Sequence, residues 1–232
     1  MENKFVLITG ATGGLGVAVT EAVLKRNPRQ VTITYRQEES LSFLLQRLTP
    51  SEISKLKPVA CDVTDETQVR TMVAQMSQVD VLIHLVGGFD MGYVEDFSFH
   101  QWQYMFTLNL HSTFLLAKYC LPKMKQTGYG RIVAVASRAA VQPTAQLSAY
   151  GAAKAGVCNL IATIAEETKA KHLDITANTV LPSIIDTPKN RETMEFNDNW
   201  VSPQSLSEVI CFLASEAARD IRGATIPVYG KA

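Results

Sequence analysis

The stretch Thr9-Gly10-Ala11-Thr12-Gly13-Gly14-Leu15-Gly16 follows directly on an apolar run, Phe5 to Thr9, and leads directly into a helix-length amphipathic segment, Gly14 to Arg26. Glycine permits a tight strand-to-helix turn and lets the backbone approach a ligand closely. The first N–H groups of a helix have no partner within it, and its positive end faces whatever lies in front, so a pyrophosphate suits this position. The spacing departs from G-x-G-x-x-G and no G-x-x-x-x-G-K-[ST] run occurs. The turn therefore reads as a dinucleotide holder rather than as part of a phosphoryl-transferring fold. A glycine-rich turn alone serves any strand-to-helix connection, so its meaning depends on the rest of the chain.

Outward from the turn, short β-branched runs alternate with amphipathic segments. The strand candidates are Phe5 to Thr9, Val31 to Tyr35, Pro58 to Cys61, Val81 to Leu85, Arg131 to Ala136, Ile175 to Val180 and Thr225 to Val228. Helices are expected at Gly14 to Arg26, Glu39 to Leu48, Glu66 to Met76, Phe99 to Lys125, Ser148 to Lys171 and Pro203 to Ala217. This alternation predicts an α/β fold with a parallel sheet. Most of the strands are apolar throughout, as strands covered on both faces should be. No repeat, linker or low-complexity tract interrupts the chain, so residues 1–232 read as a single domain. The one long stretch without a period, Pro182 to Ser202, follows a strand end, where a substrate lid over residues 183–202 would be at home.

Composition narrows the function classes. The chain has 232 residues, 47% hydrophobic and 19% charged, which suits a compact core. Lys plus Arg and Asp plus Glu are both 22, giving a formal net charge of zero, so no basic field is present to hold a nucleic acid or an anionic membrane. Cys61, Cys120, Cys158 and Cys211 are widely spaced, form no C-x-x-C pair and suggest neither a disulfide framework nor a metal site. Their expected state is buried thiols in a reducing compartment. Without a secretory pattern near Met1 or an apolar run of spanning length, the expectation is a cytoplasmic protein.

A second motif, Tyr150-Gly151-Ala152-Ala153-Lys154, puts a phenol and an ammonium one helical turn apart on one face. Tyrosine titrates near ~10, and an ammonium within a few ångströms shifts it toward the phenolate, which tunes the group for proton transfer. Small residues between the two leave room for a ribose. Alone, such a pair is usually a solvated helix face, Ser137 a strand-end hydroxyl and Asn109 a polar break in a helix.

Taken together, these features resemble the short-chain dehydrogenases/reductases over almost the whole chain, with a visible likeness to 3-oxoacyl-carrier-protein reductases. The family's TGxxxGxG fingerprint is met by Thr9, Gly10, Gly14 and Gly16. The resemblance implies a Rossmann-type, doubly wound, seven-stranded parallel sheet with helices on both faces, and NAD(P)(H) as cofactor. It implies that Tyr150 exchanges a proton with the substrate oxygen, Lys154 holds the ribose and lowers the Tyr150 pKa, Ser137 stabilises the developing alkoxide, and Asn109 bends its helix and holds a water that relays protons to Lys154. Cofactor contacts are implied at Gly10, Thr12, Gly14, Leu15, Gly16, Arg36, Asp62, Val63, Gly87, Tyr150, Lys154, Pro182 and Thr187. The expected reaction is interconversion of a carbonyl and a secondary alcohol on a small molecule, without a metal, in a homodimer or homotetramer.

Three departures stand out. Where the family often has Asn-Asn-Ala-Gly, this chain reads His84-Leu85-Val86-Gly87, and His84 in its apolar strand is expected to be structural. Pro182-Ser183 replaces Pro-Gly. The second strand ends in Tyr35-Arg36 rather than in an acidic residue, which favours NADP(H) over NAD(H), because arginine accommodates a 2′-phosphate. The competing reading is a non-catalytic nucleotide sensor or scaffold on the same fold. A serine hydrolase is disfavoured by the lack of a G-x-S-x-G elbow.

Overall fold

A computed structural model describes residues 1–231. The elements run β1 (Phe5–Thr9), α1 (Gly14–Leu24), β2 (Gln30–Tyr35), α2 (Glu38–Leu45), α3 (Pro50–Ile53), β3 (Leu56–Ala60), α4 (Glu66–Ala74) and β4 (Val81–His84). They continue with α5 (Phe99–Phe106), a π turn (Thr107–His111), α6 (Ser112–Thr127), β5 (Tyr129–Val135), a 3-10 turn (Arg138–Ala140) and α7 (Ser148–Ala170). Last come β6 (Asp174–Pro182), α8 (Pro188–Thr193), α9 (Pro203–Leu213), a second 3-10 turn (Glu216–Ala218) and β7 (Thr225–Val228).

All strand pairs are parallel, in one seven-stranded sheet of order β3-β2-β1-β4-β5-β6-β7. Alternate residues of each strand go to opposite faces. Thus Val6 and Ile8 of β1 join one core cluster, with α1 and α9, while Leu7 between them joins the other, with α4, α6 and α7. The same alternation separates Val81 and Ile83 from Leu82, whose register partner is Leu7. Two buried faces explain why these strands read as unbroken apolar runs.

The chain leaves β1 toward β2 and β3, then crosses to the other side of β1 for β4. The connections after β1 and β4 therefore diverge, which opens a crevice at the carboxyl ends of the strands. Every sequence motif above lies at that end.

Most element ends shift by a few residues, and three differences carry a physical reason. β3 begins at Leu56 rather than Pro58, because it is an edge strand and Pro58 needs no ladder N–H there. The short helix α3 is additional; Thr49 accepts from the Glu52 N–H while Glu52 accepts from the Thr49 N–H, a capping box legible as Thr-Pro-Ser-Glu. The expected Phe99 to Lys125 helix exists but is interrupted by the π turn. Among the described residues, no helix is long and apolar enough to cross a membrane.

Candidate active site

The glycine turn divides its work among its residues. Gly10 has φ +76°, in the left-handed region, and a side chain there would meet Val86 N at 3.0 Å. Gly16 carries the closest approach, since an added Cβ would fall 2.0 Å from the Gly10 carbonyl oxygen. Gly14 lies against Thr187, whose Cγ2 would be 2.8 Å from a Cβ at that position. Leu15 sends its side chain into the core, so only its backbone can serve a ligand. The N-cap of α1 is Gly13, with no side-chain acceptor and no acidic residue in the first turn. The positive helix end thus remains available to an anion, which is the fit a pyrophosphate requires.

The crevice is walled by the ends of three further strands: Thr34 within β2 and Arg36 just after it, Asp62 and Val63 after β3, and Val86 and Gly87 after β4, with Gly10 and Thr12 from the turn. Arg36 is exposed and makes no salt bridge among the described residues. The nearby Glu38 carboxylate instead accepts from the Tyr35 hydroxyl at 2.9 Å. Asp62 is turned onto its own loop, accepting from Thr64 N at 2.9 Å and Thr64 Oγ1 at 2.7 Å.

Ser137, at the end of β5, lies beside Tyr150, which shares α7 with Lys154, while Asn109 of the π turn and Lys154 meet at Gly87. A Cβ at Gly87 would lie 2.7 Å from Asn109 Oδ1 and 2.9 Å from Lys154 Nζ, so both polar atoms face this residue. Lys154 is buried and donates to the Val135 carbonyl at 2.8 Å, while burial pushes its pKa down to about 8. Burial also raises the phenol of Tyr150 above its ordinary value, and the Ser137 hydroxyl opposes this. Ser137 caps the 3-10 turn through Ala139 N at 3.3 Å. The Asn109 amide is fixed on three sides: Nδ2 donates to Met105 O (2.9 Å) and Gly88 O (3.1 Å), and Oδ1 accepts from Gly88 N (3.2 Å). Pro182 closes β6 opposite Val228, and Thr187 caps α8.

Residues 4–198 match the profile of the short chain dehydrogenase family. The chain belongs to that family. It is 32% identical to a 7α-hydroxysteroid dehydrogenase of Bacteroides fragilis, over 99% of this chain and 94% of that protein. A D-β-hydroxybutyrate dehydrogenase of Cupriavidus necator is 26% identical over 97% of this chain and 95% of its own. Among solved structures, ElxO with NADP bound superposes with a TM-score of 0.89 at 27% identity, covering 98% of both chains. The protein is a dehydrogenase/reductase acting on CH–OH or C=O groups.

The YGAAK helix of this dehydrogenase is closely packed on one side. The Lys154 ammonium donates to the Val135 carbonyl and lies 5.9 Å from the Tyr150 ring centre, while burial sets the direction of the phenol's pKa, upward. Of the small residues between Tyr150 and Lys154, Ala153 is fully buried, a Cβ at Gly151 would stand 3.1 Å from the Ala139 carbonyl, and Ala152 is exposed. Of the cysteines, Cys61, Cys120 and Cys211 are buried and Cys158 only partly so.

Phe89 went unnoticed in the sequence. Its ring packs edge-on against Tyr150 at 5.1 Å between centroids, and it is more than half exposed at the mouth of the site. A lone aromatic after Gly87-Gly88 carries no local signal, since the contact spans 61 residues of chain. His84 is fully enclosed, with Nδ1 2.7 Å from Thr9 Oγ1 and Nε2 3.1 Å from Ser112 Oγ, and burial pushes its pKa down to about 3. A neutral imidazole with both nitrogens engaged fits the structural role expected of it.

Proposed function

We propose that this dehydrogenase is an NADP(H)-dependent enzyme interconverting a carbonyl and a secondary alcohol, with Tyr150 as proton donor in the reducing direction. The observation that carries this reading is the enclosed phenol beside Ser137 and opposite the buried ammonium of Lys154. A phenol held protonated at neutral pH is a competent acid, and the Ser137 hydroxyl beside it can donate to an oxygen on which negative charge develops. Bound NADP(H) supplies the hydride. Gly10, Thr12, Gly14, Leu15 and Gly16 form its pyrophosphate cradle, Asp62 and Val63 flank its adenine, and Gly87, Pro182 and Thr187 border its nicotinamide end. Lys154, pushed down to about 8, is able to pass protons at working pH, and Asn109 Oδ1 and Lys154 Nζ both face Gly87, where a water could bridge them. Residues 183–202 act as the lid; Thr187 already rests on Gly14 at the phosphate turn.

The test is a panel followed by NADPH absorbance: a 7-oxosteroid, acetoacetate and an acetoacetyl thioester for reduction, with a 7α-hydroxysteroid, D-β-hydroxybutyrate and D-threitol for oxidation. The named activities of the relatives motivate these classes. Cofactor-dependent conversion of none of them would count against this reading.

Arg36 is assigned to the 2′-phosphate. Its guanidinium lies at the crevice wall without a salt-bridge partner among the described residues, and Glu38 is engaged by Tyr35. NADPH is expected to bind at least about 10-fold more tightly than NADH, and Arg36→Ala to remove most of that difference while leaving NADH affinity unchanged, because a charge-assisted contact to phosphate contributes about 1.5–3 kcal/mol. Fluorescence titration of both cofactors decides, and equal affinities in the parent protein sink the assignment.

The protein is further proposed to be a cytoplasmic homodimer or homotetramer. Its unpaired thiols fit a reducing compartment. Phe99, Tyr104 and Phe114, each about half exposed or more, lie along the α5–α6 helix and give it an apolar outer face suited to a two-fold mate. Sedimentation should find a dimer or larger at micromolar concentration, and a stable monomer would refute it.

A further inference from the structure

Asn109 faces Lys154 only because its helix is not regular. At the π turn, Ser112 N–H donates to Thr107 O, five residues back, in place of Leu108 O four residues back. The Leu108 carbonyl is taken instead by the Ser112 hydroxyl at 2.8 Å, and the Asn109 carbonyl by the Thr113 hydroxyl at 2.7 Å. One extra residue in a helical turn redirects every side chain in it, and such single π turns cluster at functional sites. The Ser112 hydroxyl is itself bound from outside the helix. Its proton goes to Leu108, so it accepts from His84 Nε2–H, which fixes the ring tautomer and leaves His84 Nδ1 to accept from the Thr9 hydroxyl. Thr9, His84, Ser112 and Leu108 thus form a buried, uniformly directed chain of three hydrogen bonds, linking the end of β1 through the end of β4 to the π turn. All three polar side chains in it are 2% exposed or less.

We infer that His84 is a positioning residue for Asn109: through Ser112 it holds the π turn in the geometry that sets Asn109 against Gly88 and opposite Lys154. The inference rests on the proton-relay role given to Asn109 above for its effect on turnover, though not for its effect on the turn itself. The imidazole spans two strand ends and reaches the helix, which joins the strand that opens the phosphate turn to the helix that carries Asn109. Only a ring with two separated nitrogens makes both contacts at once.

The test compares Ser112→Ala, His84→Ala, Thr9→Val and Asn109→Ala in the full chain. Amide hydrogen exchange of peptides covering residues 105–113 reads the turn without any substrate, and NADPH fluorescence reads cofactor binding. Turnover against pH, on the compound of the panel converted fastest, reads the relay. Ser112→Ala and His84→Ala are expected to raise exchange within residues 107–113 by about 10-fold, with NADPH affinity changed by less than about 3-fold. Turnover should fall by about 10-fold with the pH profile of Asn109→Ala. Thr9→Val, which removes only the far bond, should give the same pattern more weakly.

Parental exchange over residues 107–113 in Ser112→Ala overturns the inference. So does a rise spread equally over α6 and the neighbouring strands, which would be general loosening. Should His84→Ala fail to fold, Ser112→Ala, which removes one oxygen, carries the same decision. An Asn109→Ala protein with a parental pH profile would instead remove the relay role, leaving the exchange result to decide whether His84 holds the turn.

Discussion

Tyr150→Phe is expected to lower turnover by about 100-fold or more in either direction while leaving NADPH affinity within about 2-fold, because it removes the hydroxyl that carries the transferable proton and leaves the ring in place. The ring, its edge-on contact with Phe89 and the burial beneath it are retained. The pH dependence has a definite sign. Burial holds the phenol above its ordinary value, so the acid form is present throughout the neutral range and reduction does not decline until alkaline pH. Oxidation needs the phenolate as base and should rise with pH across the same range. Stopped-flow measurement of cofactor absorbance with a panel substrate gives both profiles. A Phe variant that kept most of the parental rate would exclude Tyr150 as donor.

The second large effect is expected at Gly16. A methyl group there would sit 2.0 Å from the Gly10 carbonyl oxygen, 2.6 Å from Ala11 C and 2.7 Å from Ala11 O, all of them backbone atoms. No rotamer change relieves such a clash, so either α1 moves away from the turn or the turn unfolds. Gly16→Ala should therefore destabilise by about 3 kcal/mol, the upper range of overpacking effects, and lower the Tm by roughly 6–12 °C for a chain of this length. NADPH affinity should fall by about 100-fold, since the cradle and the helix end would no longer be aligned. Gly13→Ala is the control: the nearest atom to its added Cβ is the Gly10 oxygen at 3.4 Å, and φ is −77°, so its Tm should stay near the parental value. Thermal scanning of the two variants separates them, and equal Tm values would show that close packing at Gly16 is not what the turn depends on.

The amino-acid sequence by itself determined what depends on local spacing. The glycine turn, the one-turn separation of Tyr150 and Lys154, the Arg36 at a strand end and the alternation of strand with helix are all encoded within a few residues. Short, wholly apolar runs alternating with segments of about 3.6-residue period are enough to assign strand and helix and to place these groups at one end of a parallel sheet. The capping box of α3, a helix not among those expected, is also local, from Thr49 to Glu52. What the tertiary structure decided is which groups close on one another across long stretches of chain. Lys154 donates to Val135, 19 residues away. Arg131, read as an ordinary strand residue, is fully buried, paired with Asp174 at 2.9 Å and bonded to the Ser215 carbonyl. His84 reaches 75 residues back to Thr9 and 28 forward to Ser112. Such contacts follow from strand order, register and helix packing acting together, and no local pattern carries them: a buried polar group must find a partner, but only the assembled fold fixes which one lies within reach.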